Sequence, residues 1–193
     1  MGPLLVNIAA IHERVPRVLK ELRETYGVDR FDDSPLHRSI KLFADFVARA
    51  RRHEIDGHIN EALLHYVIAL ELIFGEQQAI RKSVSERVAI ITYRENGRSF
   101  LQQQKWMDGI YELRSRYIHK GVELTDEPQL EQLRVLCEQI FRCLLRLQAA
   151  HPRHESRGEE VLTAWFRELD FLVAGMAARR QPTETQLSDA FIV

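Results

Sequence analysis

The stretch Tyr111-Glu112-Leu113-Arg114-Ser115-Arg116-Tyr117-Ile118-His119-Lys120-Gly121 holds the pair best suited to chemistry on an anion. Histidine gains or loses a proton near neutrality. Arginine carries a permanent, planar charge that forks onto two oxygens of a phosphate or carboxylate. Arg114 and His119 together therefore suit acid–base work beside a bound anion. Five residues apart on a helix, they are turned by about 140° and shifted by about 7.5 Å. They do not stack on one face, but both can reach a cleft beside the helix near its end before Gly121. A twofold partner would set a second copy of the pair opposite the first. Between Arg94 and Lys120, six basic residues (Arg94, Arg98, Lys105, Arg114, Arg116, Lys120) stand against three acidic ones (Glu95, Asp108, Glu112). The same residues also fit a plain charged helix end, where the helix dipole alone favours His119. An Arg-x4-His spacing arises readily by chance in a chain with 8 histidines.

Other motifs are absent: no Gly-rich phosphate loop, no nucleophile elbow, no His-Glu-x-x-His. His53 with His58, and His151 with His154, lack further ligands at metal spacing and read as solvated surface histidines. Cys137 and Cys143 lie in an apolar run without metal-ligand spacing or a disulfide framework. No metal and no cofactor are expected. Asp32-Asp33 reads as a turn. Glu71 stands out as the lone carboxylate between Ala62 and Phe74, where His65 is the other polar residue. A carboxylate there needs a cationic partner from the Arg87 or Arg114 helix; it either makes a structural ion pair or orients a functional cation.

These residues must be positioned by helices. The chain has 193 residues, 45% hydrophobic and 28% charged, which suits one globular domain. The net charge of −1 excludes a whole-molecule grip on nucleic acid or membrane and leaves room only for a local patch. Neither a membrane span nor a signal peptide is legible, so a cytoplasmic protein is expected. Leu36, Ile40, Phe43, Val47 and Ala50 recur at helical spacing after Ser34-Pro35. A second helix runs from about His58 to Phe74 and stops at Gly75; apolar nearly all round, it belongs at the centre of a bundle. Ser83 and Glu86 have capping-box spacing and open a third. A fourth spans about Leu101 to Lys120, a fifth starts at Glu127-Pro128 and ends before Pro152, and a sixth follows a second capping-box spacing at Ser156 and Glu159. An N-terminal helix is expected over 16–27. The tail over 181–193 reads as polar and frayed, with Ala190 to Val193 able to dock. The expected fold is an all-α bundle of six to seven helices spanning 1–180, with 1–30 as an N-terminal extension.

Three segments in this order resemble the HEPN superfamily, in its Apea-like branch: Ala69-Leu70-Glu71-Leu72-Ile73-Phe74-Gly75, Ser85-Glu86-Arg87-Val88-Ala89, and Tyr111 through Gly121. The resemblance covers about Ile40 to Leu147. The last segment looks like that family's Arg-x4–6-His motif, with Tyr three before the Arg and Gly two after the His. Many active members carry Asn, Asp or His directly after the Arg; here that position is Ser115, whose hydroxyl can still hydrogen-bond a phosphate.

The resemblance implies a dimeric helical bundle acting as a metal-independent endoribonuclease. Arg114 and His119 would be catalytic, with Ser115, Glu71 and Tyr117 supporting. Arg116, Lys120, Lys105 and Arg98 would track the RNA backbone, although they equally fit a solvated face. Trp106 and Tyr111 offer surfaces for base stacking, Trp106 being the better candidate for burial at a helix or dimer contact. The implied biology is that of a toxin or antiviral-defence effector, with an antitoxin or a larger effector as possible partner. The alternatives are a catalytically inactive HEPN-like RNA- or nucleotide-binding or dimerisation module, and a structural adaptor in which Arg114 pairs with Glu71 or Glu112.

Overall fold

The computed structural model describes residues 35–123, 127–151, 158–190 and 192. Those residues form seven helices and no strand: α1 (Pro35–Ile55), α2 (Ile59–Phe74), α3 (Ile80–Thr92), α4 (Phe100–Lys120), α5 (Glu127–Ala150), α6 (Gly158–Ala177) and α7 (Glu184–Asp189). The all-α expectation holds for them. The helix expected over 16–27, the turn at Asp32-Asp33 and the caps at Ser34 and Ser156 lie outside the described residues.

The α2 helix packs against α1, α3, α4 and α5, because Ala62, Leu63, Tyr66, Val67, Ala69, Leu70, Ile73 and Phe74 bury most of its circumference. One strip escapes: Leu64 and Ile68 are half-buried, and Leu72 is 43% exposed. At its far end Phe74 meets Trp165 and Phe166 of α6, with ring centroids 5.8 and 6.1 Å away. Arg87 of α3 bolts the same junction. Its buried guanidinium donates to the Phe74 carbonyl at 3.2 Å and to both Asp170 oxygens at 2.9 and 2.8 Å. It also pairs with Glu76 and stacks over Phe166, 4.6 Å from the ring centroid.

Two local expectations are corrected. Ser83 is not an N-cap: α3 begins at Ile80, and the Ser83 hydroxyl instead accepts from the Glu76 backbone N–H at 3.1 Å and donates back to Ala79 and Ile80 carbonyls. The complete capping box lies at Ser99 and Gln102, ahead of α4. The described residues of the tail, 181–190 and 192, are docked rather than frayed. Thr183 and Gln186 box the start of α7; Leu187, Ala190 and Ile192 are buried; and the Trp165 indole N–H donates to the Ala190 carbonyl at 2.8 Å.

Among the described residues, no helix is long and apolar enough to cross a membrane.

Candidate functional site

The α4 helix carries the Arg114–His119 pair, and its two ends are firmly set. Ser99 caps the start; Gly121 ends it in the left-handed conformation, φ 62°, which glycine adopts without a Cβ clash. The Gly121 N–H donates to the Tyr117 carbonyl at 2.9 Å, and the Val122 N–H reaches the Arg116 carbonyl at 3.4 Å. His119 and Lys120 therefore sit on the last turn, at the negative end of the dipole.

This last stretch crosses α2 between two carboxylates. Arg114 Nη2 meets Glu71 Oε2 at 3.5 Å, and the Tyr117 hydroxyl donates to Glu61 Oε1 at 3.3 Å. The Glu71–Arg114 contact is long, and the side chains keep 20% and 31% of their exposure. Glu71 is thus half-buried at the edge of the core rather than inside it. Its partner is Arg114, while Arg87 is committed to Asp170, Glu76 and Phe74.

Tyr111, one turn before Arg114, is buried, which overturns a base-stacking role for it. Among the described residues the buried Nε of Arg114 has no hydrogen-bond partner, and the Tyr111 hydroxyl lies beside the Glu71 carboxylate without a hydrogen bond of normal geometry. Burial first, and then the Glu71 carboxylate, push the Tyr111 hydroxyl well above the usual phenol range; the charges of Arg114 and Arg81 pull it partly back. Glu71, Tyr111 and Arg114 thus form one polar cluster under the end of α4.

Ser115, Arg116, His119 and Lys120 are exposed. With about 100° per residue, Ser115 falls between Arg114 and His119, whereas Arg116 and Lys120 fall on the other side of the helix. Lys105 is exposed and nine residues back, about 13.5 Å along the axis. Arg98 stands at the far end of α4 and is occupied there: it donates to Gln103 Oε1 at 3.0 Å and Gln132 Oε1 at 2.6 Å, and stacks over Trp106 at 4.9 Å. Buried Gln103 passes the chain on to Thr92 Oγ1. Arg98 and Trp106 thus staple the α3–α4 loop to α4 and α5. The contacts formed are Glu71 with Arg114 and Tyr117 with Glu61; Lys105, Arg116 and Lys120 fall on one face of α4, near 180°, 200° and 240° from Arg114, and Arg98 lies in the loop before the helix.

Glu61 and Tyr111 are the neighbours that sequence reasoning placed elsewhere or passed over. Glu61 lies ten residues before Glu71, and only the crossing of α4 reveals its use.

Of the histidine pairs, His53 stacks on His65 with ring centroids 4.8 Å apart and lies 6.0 Å from His58. Among the described residues no group of three His, Cys, Asp or Glu side chains is arranged to hold a metal; His154 lies outside them. Both cysteines are buried and free.

No family model, no curated protein and no solved structure matches this chain.

Proposed function

We propose that this chain is a HEPN-like, metal-independent endoribonuclease that works as a homodimer. The observation carrying this is the state of Arg114: its Nη2 meets Glu71 through a long 3.5 Å contact, its buried Nε has no hydrogen-bond partner among the described residues, the side chain keeps 31% of its exposure, and exposed His119 follows five residues on along the same helix. A phosphate oxygen can replace so weak a carboxylate contact, and a charge-assisted fork is strongest on the crowded oxygens of a phosphoryl transition state.

In the proposed reaction His119 takes the proton of an RNA 2′-hydroxyl, whose oxygen attacks the adjacent phosphorus. The bond from phosphorus to the 5′-oxygen breaks, and that oxygen receives a proton, from the second protomer's copy of the same histidine. The products are a 2′,3′-cyclic phosphate and a 5′-hydroxyl. Ser115 lies between base and fork, where its hydroxyl can reach a phosphate oxygen. Tyr117, tied to Glu61, holds the last turn of α4 in place. Leu72 and Ile118, 43% and 48% exposed, flank the Glu71–Arg114 pair and suit burial against a second copy. By the same resemblance the cellular role proposed is that of a toxin or antiviral-defence effector.

The Glu71–Arg114 pair itself favours a second reading, an inactive binding or dimerisation module in which that contact is purely structural. Incubating the protein with labelled RNA in EDTA, beside His119→Ala, separates the two. Cleavage abolished in the variant supports the nuclease; RNA left intact by the wild-type dimer supports the module.

A further inference from the structure

Taking Arg114 as zero on the α4 wheel, Gln104, Ser115, Asp108 and His119 fall between about 80° and 140°, whereas Arg116 and Lys120 fall near 200° and 240°. The first of these faces meets the start of α3. Asp108 Oδ1 accepts from Arg81 Nε at 3.1 Å and from the buried Ser85 hydroxyl at 3.1 Å; the Asp108 carbonyl accepts from Arg81 Nη2 at 3.2 Å. Gln78, Arg81, Lys82, Gln104 and Asp108 line an open cleft of about 520 Å³. Tyr111 joins that cleft to the Arg114 cluster. It stands three residues from Asp108 and three from Arg114, and the charges of Arg81 and Arg114 both reach its hydroxyl.

Resting on the ribonuclease reading, we infer that the RNA strand runs from the Arg114–His119 site into the α3–α4 cleft, where Arg81 and Lys82 take its phosphates. The strand does not follow Arg116 and Lys120. Three observations favour this path. Gln104 and Asp108, which line the cleft, share the face of α4 that carries Ser115 and His119. Arg81 is pre-set: Asp108 holds two of its three nitrogens, yet the side chain stays 54% exposed, so little freedom is lost when a phosphate arrives. Asp108 Oδ1 already accepts from Arg81 and Ser85, so part of its charge is met before the strand arrives. Lys82 is exposed, with the half-buried Glu86 one turn further on. Gln78 and Gln104 add donors and acceptors for ribose hydroxyls.

The test is fluorescence anisotropy of a labelled, fully 2′-O-methylated RNA oligonucleotide, which the proposed chemistry cannot cut. Arg81→Glu and Lys82→Glu should each weaken binding about tenfold and flatten the dependence of log Kd on log salt by about 0.7 for each phosphate no longer neutralised. Gln104→Ala should weaken it several-fold with the salt dependence unchanged. Arg116→Glu and Lys120→Glu should each change affinity less than threefold (about 0.6 kcal/mol). Lys82→Glu serves where Arg81→Glu disturbs α3, since Lys82 holds no part of the Asp108 contact. A drop in affinity mapping to Arg116 and Lys120 instead, or no RNA binding by the wild type, overturns the inference. Cleavage of unmodified RNA with binding mapped to Arg116 and Lys120 leaves the ribonuclease standing and removes only this path. Binding mapped to the cleft without cleavage does the reverse.

Discussion

Replacing Arg87 by Met should loosen the joint between α2, α3 and α6. The side chain is only 4% exposed and serves four partners. Removing it orphans the Phe74 carbonyl, a loss of about 1–3 kcal/mol for a buried acceptor. Asp170 and Glu76 are 54% and 56% exposed, so water takes them back; their release adds at most about 1 kcal/mol each. The total, about 3 kcal/mol, falls at the low end of what breaking a fully buried pair costs. For a chain of this size that is about 6–12 °C in Tm, read by circular dichroism or calorimetry. Arg87→Lys should recover part of the stability, because an ammonium reaches one partner but cannot fork to Phe74 and Asp170 together. Asp170→Asn should cost about 1 kcal/mol. A melting point for Arg87→Met within about 2 °C of wild type, or Asp170→Asn as harmful as Arg87→Met, would refute the clamp.

Glu71→Gln should lower Tm by only about 2–4 °C, close to 1 kcal/mol, because its pair with Arg114 is long and half-open; a drop above about 10 °C would mean a deeply buried pair. Glu86→Gln should stabilise the protein at neutral pH and lose that advantage in acid. Burial raises the Glu86 carboxyl pKa in the fold, so the folded state binds more protons than the unfolded one, and stability falls as pH rises through the folded pKa; melts at about pH 4 and pH 7 read the sign. Cys137 and Cys143 should resist thiol reagents until the protein unfolds. Burial pushes both thiols up, Cys143 to about 12, and rapid labelling of the native protein would contradict this.

Much of the helical order was legible because periodicity and breakers coincide: the apolar run of α2, Gly75 after it, Gly121 after Lys120. Starts were harder. Ser83 with Glu86 and Ser99 with Gln102 have the same spacing, and only the first turn Ile80-Arg81-Lys82, which lacks apolar periodicity, decides that α3 begins earlier. The tail misled because Leu187, Ala190 and Ile192 are few among polar residues; they become core only against Trp165. At the candidate site, the need of Glu71 for a cation follows from one carboxylate on an apolar helix, and two arginines were eligible. The choice of Arg114 depends on Asp170, which claims Arg87 from 83 residues away, a pairing no local pattern encodes. Arg98 shows the converse: a basic residue near the motif in sequence that bonds Gln103 and Gln132 at the opposite end of α4.

The ribonuclease proposal is tested most directly by the ends it leaves on RNA. A short RNA would be incubated with wild-type protein in EDTA, and its fragments weighed by mass spectrometry, alongside the same sequence as DNA and as 2′-O-methyl RNA. The expected result is 2′,3′-cyclic phosphate and 5′-hydroxyl ends from RNA, both controls intact, and no fragments with Arg114→Ala or His119→Ala. Fragments with 5′-phosphate ends, cleavage of the DNA control, or undiminished cutting by His119→Ala would contradict it.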